Sequence, residues 1–294
     1  MSDTLTGVAV VGSANLDLVV EVSRPPRVGE TLLGRAGGRF SGGKGLNQAV
    51  ASARSGAPTR FCAVVGRDEA ADLLERTLSD AGVVTALRRS AVAPTGVAHV
   101  LALEDGDNSI IVAAGANAEL VPDDAVTGIS GAAVVLAQLE VPAESVAAAL
   151  RAGRAAGALT LLNAAPAHVA AIGMLADVDV LVVNETECAE LGGVDGLHAA
   201  GAQTIVLTRG AGGVDLLRRG ADPLHVDAFR IRPVDTTGAG DAFCGALAAA
   251  LSRGRRIEDA LVEACAAGAV VAEHRGATTS ALSTESIAAL VASR

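Results

Sequence analysis

The chain has 294 residues, half of them hydrophobic, with 23 Lys and Arg against 33 Asp and Glu for a formal net charge of −10. That length allows one large domain or two small ones, and so apolar a chain buries a sizeable core, which excludes a disordered or collagen-like protein. Aromatic residues make up 1%, from four Phe with no Tyr or Trp, which argues against stacking platforms and aromatic cages, and the acidic balance argues against a nucleic-acid partner.

No uncharged apolar stretch reaches the ~18 residues of a membrane span. The polar segment 1–7 runs straight into a strand-like run without a basic and then apolar leader, so the expectation is a cytoplasmic protein with no membrane partner. Cys62, Cys188, Cys244 and Cys265 are scattered, without a CxxC pair, and read as buried, reduced thiols.

In chain order, β-branched runs at 8–11, 61–65, 133–137, 159–163, 180–183, 204–207 and 213–217 predict strands. Ala- and Leu-rich stretches at 46–55, 69–81, 144–156, 185–191, 241–252, 257–272 and 283–292 predict helices. This alternation predicts an α/β protein with a mainly parallel sheet. The strands are near-continuous apolar runs, as expected where helices cover both faces. The whole of 1–294 reads as a single α/β unit. Two regions break the rhythm. Segment 21–40 has Pro25, Pro26 and several Gly but no helical period, and 95–112 reads as two strands around Glu104-Asp105-Gly106-Asp107-Asn108, a hairpin turn cluster. Stretches of about 16–41 and 95–113 can pair as a small sheet suited to a lid; a plain surface hairpin fits the pattern equally well.

Three glycine-rich stretches carry candidate chemistry. Gly38 to Lys44 nearly matches the phosphate loop GxxxxGK[ST], but Gly45 stands where the magnesium-holding Ser or Thr belongs. The alternative is a turn whose glycines let amides approach a ligand, with Lys44 as an added donor and Asn47 close behind it on a helix. Asp235-Thr-Thr-Gly238-Ala-Gly240-Asp241-Ala-Phe243 fails the dinucleotide fingerprint at Phe243. What remains is a Gly-rich turn opening a helical run, an arrangement that binds anions through free amides, with Asp241 in the first turn. Capping by Thr237 or Asp241 explains those two residues as well, but not the two glycines around Ala239. Thr208-Arg-Gly210-Ala-Gly212-Gly213 follows a strand, where α/β sheets bind ligands, although an ordinary tight turn accounts for it too. Asn15, Asp17, Glu140, Asn163, Asn184 and Glu187 follow other strands. Singly each is a turn or capping residue; together, beside an anion-binding helix start, they favour a phosphoryl-transfer pocket.

Nearly end to end, these residues resemble the ribokinase-like (PfkB-type) carbohydrate kinase family. The resemblance runs through Gly12-Ser-Ala-Asn-Leu-Asp17, Arg27-Val-Gly-Glu-Thr31, Gly42-Gly-Lys-Gly-Leu-Asn-Gln-Ala49, Gly115-Ala-Asn117, Leu162-Asn-Ala-Ala-Pro-Ala167, Asn184-Glu-Thr-Glu187 and Asp235-Thr-Thr-Gly-Ala-Gly-Asp241. The last of these is highly specific for the family. Ala164 stands where members often have Pro.

The resemblance implies a helix-sandwiched, mainly parallel sheet with a small β-sheet lid. It implies ATP-dependent phosphorylation of D-ribose to ribose 5-phosphate. A related sugar (deoxyribose, fructose) or a nucleoside is the alternative acceptor, and a sugar-binding regulator without catalysis a remote third reading. Asn15, Leu16, Asp17, Gly43, Lys44, Gly45, Asn47 and Glu140 match sugar-holding positions. Asp241 matches the base that takes the hydroxyl proton, and the amides of Gly238, Ala239 and Gly240 match the anion hole. Asn184 and the loop Thr208, Arg209, Gly210, Ala211, Gly212 and Gly213, with Gly240, match nucleotide contacts. Glu187 matches the acid that supports magnesium, and Cys265 lines the adenine pocket. Asp235, Thr237, Val271, His274, Gly276 and Ser280 match a potassium site built largely of carbonyl oxygens. Lids of two chains clasp into a homodimer in this family.

Overall fold

The computed structural model describes residues 6–103 and 108–294. The turn cluster at 104–107 and the first part of the polar N-terminal segment, 1–5, lie outside the described residues. In order, the elements are β1 (Val8–Val11), β2 (Asn15–Val22), β3 (Arg35–Gly42), α1 (Lys44–Arg54), β4 (Thr59–Val65), α2 (Glu69–Asp80), β5 (Val84–Arg89), β6 (Gly96–Leu103), β7 (Asn108–Ala113) and α3 (Pro122–Gly128). There follow β8 (Val134–Ala137), α4 (Ala143–Ala155), β9 (Leu159–Asn163), β10 (Val180–Asn184), α5 (Glu185–Glu190), α6 (Gly193–Ala199), β11 (Thr204–Thr208), β12 (Val214–Arg218) and β13 (Leu224–Val226). Helices α7 (Ala239–Ser252), α8 (Ile257–Ala272) and α9 (Thr284–Ala292) close the chain.

The large sheet has the order β13-β12-β11-β10-β9-β8-β1-β4-β5. From β11 to β5 it is parallel throughout, and β12 and β13 run antiparallel at one edge. Strand β1 illustrates how the two cores form. Successive side chains of a strand point to opposite faces. Val8 and Val10 therefore join Leu46, Val50, Leu247 and Leu261 of α1, α7 and α8 on one face. Ala9 and Val11 join Ala125, Leu150 and Leu181 on the other. Burial on both faces is why these strands read as continuous apolar runs.

The predicted α/β class is borne out, with four elements missed for local reasons. Strand β5 lies at the sheet edge with mostly half-buried or exposed residues, so it has no continuous apolar run. Strand β13 is three residues long, α3 is a seven-residue helix started by Pro122, and α6 contains Gly193 and Gly196.

A second, four-stranded sheet has the order β3-β2-β6-β7. Its centre is β2, antiparallel to β3 and parallel to β6, with β7 antiparallel to β6. The accessory-sheet reading of 21–40 and 95–112 therefore holds over the plain hairpin. Strand β2 follows β1 after residues 12–14 alone, so the chain runs from the central strand of the large sheet directly into the small one.

Candidate active site

Strands β4 and β5 lie on one side of β1, and β8 to β11 on the other. Such a reversal of strand order opens a crevice at the carboxyl edge of an α/β sheet. Ser13 and Glu140, just past the ends of β1 and β8, sit at this point. The Glu140 carboxylate accepts from Ser13 Oγ at 2.5 Å and from the Lys44 amide at 3.0 Å, which fixes it across the crevice. Asn15 is buried, and its Oδ1 accepts from Asn117 Nδ2 at 2.7 Å. Asn117 Oδ1 in turn accepts from the Ala14 amide at 2.9 Å. Asp17 stands on β2 opposite Phe40, and its Oδ1 is buried with no hydrogen-bond partner among the described residues. Burial, reinforced by Glu140 and Asp241, pushes its carboxyl up to about 7.

Helix α7 supplies the other wall. Gly238 caps it with φ +78°, and no side chain caps the helix. A Cβ at Gly238 would lie 2.3 Å from Ala277 Cβ, so this left-handed turn requires glycine twice over. The capping reading of Thr237 and Asp241 therefore fails. The Ala239 amide donates to Thr236 O at 3.2 Å, whereas those of Gly238, Gly240 and Asp241 meet no acceptor among the described residues. Free amides at a helix start favour an anion.

The Asp241 carboxylate turns away from its own backbone. Its Oδ2 accepts from Asn47 Nδ2 at 3.0 Å and its Oδ1 from Gln48 Nε2 at 2.9 Å. Burial pushes this carboxyl up, against the pull of Lys44 and the two amide donors, and Glu140 adds to the rise. Lys44 starts α1 and is half-buried. Burial pushes its ammonium down, but Asp241, Glu140 and Glu187 outweigh that and leave it above the usual lysine value. Asp17, Lys44, Glu140, Glu187 and Asp241 thus share one electrostatic neighbourhood. A carboxylate with ordered donors, an ammonium and free amides beside it can take a proton from a hydroxyl while holding an anion.

The remaining predicted residues are distributed around this centre. Asn184 and Glu187 form a reciprocal capping box on α5: Glu187 N donates to Asn184 Oδ1 at 2.8 Å, and Asn184 N to Glu187 Oε2 at 2.9 Å. Burial still pushes Glu187 up, opposed by its bond to the Asn184 amide and by Lys44. Arg209 is held by Asp215 at 2.7 Å and Glu185 at 2.5 Å, and 209–213 is a tight turn in which the Arg209 amide donates to Gly213 O at 2.8 Å. Thr208 ends β11, and its Oγ1 donates to Val183 O at 3.4 Å. Cys265 is half-buried on α8, where burial pushes its thiol up to about 12.

Asp235 accepts from the amides of Thr237 at 2.9 Å and Gly276 at 3.0 Å. Burial pushes it up, but those donors and Arg275 outweigh burial and hold it below the usual carboxylate range. Val271 O receives the His274 amide, and Ser280 is exposed. Among the described residues no three His, Cys, Asp or Glu side chains gather as a metal cluster.

Residues 5–285 match the sequence profile described as pfkB family carbohydrate kinase. The chain belongs to the pfkB family. Among its relatives, this pfkB family member is 33% identical over 291 residues to a ribokinase of Staphylococcus aureus, which covers 93% of this chain and 95% of that protein. It is 36% identical over 258 residues to a deoxyribokinase of Salmonella typhi, covering 82% of this chain and 84% of the other. A ribokinase of Arabidopsis thaliana solved with ribose and ATP superposes with a TM-score of 0.89 at 32% identity, covering 97% of this chain and 98% of that one.

Within this pfkB kinase, four side chains escaped sequence reasoning as site residues. Ser13, Gln48 and Asn117 lie inside the family-like stretches but had no assigned task, and Gln138 lies outside them. Gln48 and Gln138 are fully buried. A polar residue fully buried at a strand end or on a helix face is a signal, but one that exists only once burial is known.

Proposed function

We propose that this chain is an ATP-dependent kinase that transfers the γ-phosphoryl group to D-ribose, giving ribose 5-phosphate. The observation that carries the reading is Asp241: it lies in the first turn of a helix whose Gly240 and Asp241 amides meet no acceptor among the described residues, yet its carboxylate faces Asn47, Gln48 and Lys44 instead of capping. Asn15, Asp17, Gly43, Asn47 and Glu140 orient the sugar, and the carboxylates accept its hydroxyls. The acceptor hydroxyl passes its proton to Asp241 as its oxygen bonds to the γ-phosphorus and the bond to the bridging oxygen breaks, releasing ADP. Lys44 and the amides of Gly238 and Gly240 hold the charge on the transferring group, while Asn184, Thr208 and the 209–213 turn flank the nucleotide. Positioning supplies most of the rate, and the base contributes roughly 10²–10⁴-fold.

Magnesium, when bound with ATP, neutralises phosphate charge. Glu187, whose electrostatic neighbours include Lys44 and Asp241, would support it through a bound water, because Mg²⁺ keeps waters and phosphate ligands. Asp235, Thr237, Val271, His274, Gly276 and Ser280 offer oxygen donors suited to potassium. Phe40, Ile110 and Val112 are 48%, 50% and 47% exposed on the small sheet. The pairings Asp17↔Phe40, Asp17↔Ala98 and Ala98↔Val112 put Asp17 on that same face. A second copy laid there forms a homodimer and closes the lid over the sugar; a monomer by light scattering overturns this. Four free cysteines fit a reducing cytoplasm.

The similarity to a deoxyribokinase supports deoxyribose as a second reading. ADP release measured over ribose, deoxyribose, fructose and nucleosides tests both. Highest kcat/KM with ribose is expected; higher kcat/KM with deoxyribose selects the second reading, and sugar binding without ADP release overturns both.

A further inference from the structure

We propose that Gln48 is a positioning residue for Asp241, and that Gln138 determines which way Gln48 faces. The inference rests on Asp241 being the proton acceptor. Gln48 and Gln138 are fully buried, so each polar end of these amides needs a partner or carries a cost. Gln48 Oε1 accepts from Gln138 Nε2 at 2.6 Å. Gln138 Oε1 is buried without a partner among the described residues, so Gln138 holds Gln48 by this single contact, and the two acceptors on the far side complete the one orientation of the Gln48 amide. Its nitrogen faces Asp241 Oδ1 at 2.9 Å and Asn163 Oδ1 at 3.0 Å, so both hydrogens are used. Asn163 is oriented independently, since its Nδ2 donates to Val182 O at 3.3 Å. A flipped Gln48 would set its oxygen against two oxygens and its NH2 against the NH2 of Gln138.

The helix packing is built for this contact. A Cβ at Gly245 would lie 2.5 Å from Gln48 O and 2.7 Å from Ala51 Cβ. Only glycine there, one turn beyond Asp241, lets α1 and α7 approach until the Gln48 amide meets the carboxylate. Asn47, the other donor, is also a candidate sugar contact, which leaves Gln48 as the partner buried behind the reacting face. Asp241 otherwise faces Lys44 from α1, Glu140 after β8, Glu187 from α5, Asp17 from β2 and Cys244 on its own helix. With three carboxylates against one ammonium, the amide donor helps keep Asp241 ionised and in one rotamer.

The test compares Gln48→Met, Gln48→Glu, Gln138→Met, Gln48→Met/Gln138→Met and Asp241→Asn in the full chain. Gln48→Met keeps the volume and removes the hydrogen bonds. Its kcat is expected to fall about 10- to 100-fold, as for a misplaced catalytic group, with KM for sugar and ATP within about threefold and the acidic limb of kcat moved to higher pH. Gln48→Glu should recover part of the rate at low pH, where its carboxyl donates, and lose it as pH rises. Gln138→Met should cost less than Gln48→Met and nothing further in the double variant, because it acts through Gln48. Wild-type kcat and pH profile in Gln48→Met, or additive losses in the double variant, overturn the proposal. If Gln48→Met does not fold, Gln48→Glu and Gln138→Met decide: unchanged kcat and pH profile in both overturn it. Asp241→Asn at near-wild-type rate instead overturns the assignment of the base on which the proposal rests.

Discussion

Helix α5 follows β10 directly and α7 follows a longer loop, and both carry a carboxylate in the first turn. At α5 the polar groups serve the helix itself: Asn184 and Glu187 cap each other's backbone. At α7 glycine performs the cap, the amides of Gly238, Gly240 and Asp241 meet no acceptor among the described residues, and Asp241 bonds across to α1. The two starts look alike in residue type and differ in whether polar groups satisfy their own backbone or are held for something outside it. A helix start capped by glycine instead of a polar side chain forfeits roughly a few tenths of a kcal/mol, and at α7 that loss coincides with a pocket carboxylate and an anion-ready turn.

The largest expected effect tests the α7 side of this contrast. Asp241→Asn should lower kcat about 10²- to 10⁴-fold with the chain still folded and melting cooperatively; a drop in midpoint with normal kcat reverses the roles of α5 and α7. Next is Asp17→Asn, expected to raise KM for ribose about 10- to 100-fold through loss of charged hydrogen bonds of about 1.5–3 kcal/mol.

Its pH signature sharpens the same point. The Asp17 carboxyl is raised to about 7 in the folded chain from an ordinary 3.8. The folded state therefore binds the extra proton between those values, and the associated stability is lost as pH rises through 7. The melting midpoint of Asp17→Asn should exceed that of the wild type more at pH 8 than at pH 4.5; an equal gap at both would contradict this environment. The smallest effect belongs to α5. Asn184→Ala should cost about 1 kcal/mol of stability by denaturant melt, with kcat changed far less than by Asp241→Asn.

Much of the site was legible because its residues cluster in short stretches: 12–17, 42–49 and 235–241 each carry several site residues. The Gly238–Asp241 turn could be read because two glycines around one Ala have no helical rationale. Capping competed with catalysis at both α5 and α7, and residue type alone could not choose between them. Arg209, expected near the nucleotide, is held by Glu185 and Asp215, and nothing in its sequence neighbourhood named Asp215 as a partner.

The sequence by itself determined the parallel core, since strands buried on both faces must be apolar throughout, and it placed a helix start within two residues of Asp241, the helix opening at Ala239. Tertiary structure alone decided the direction of that carboxylate. Gln48 lies 193 residues from Asp241 and 90 from Gln138, and the helix contact that joins them depends on the missing side chain of Gly245. Periodicity reports which face of an element is buried; it carries no record of how closely two distant elements pack, and that distance orients the base.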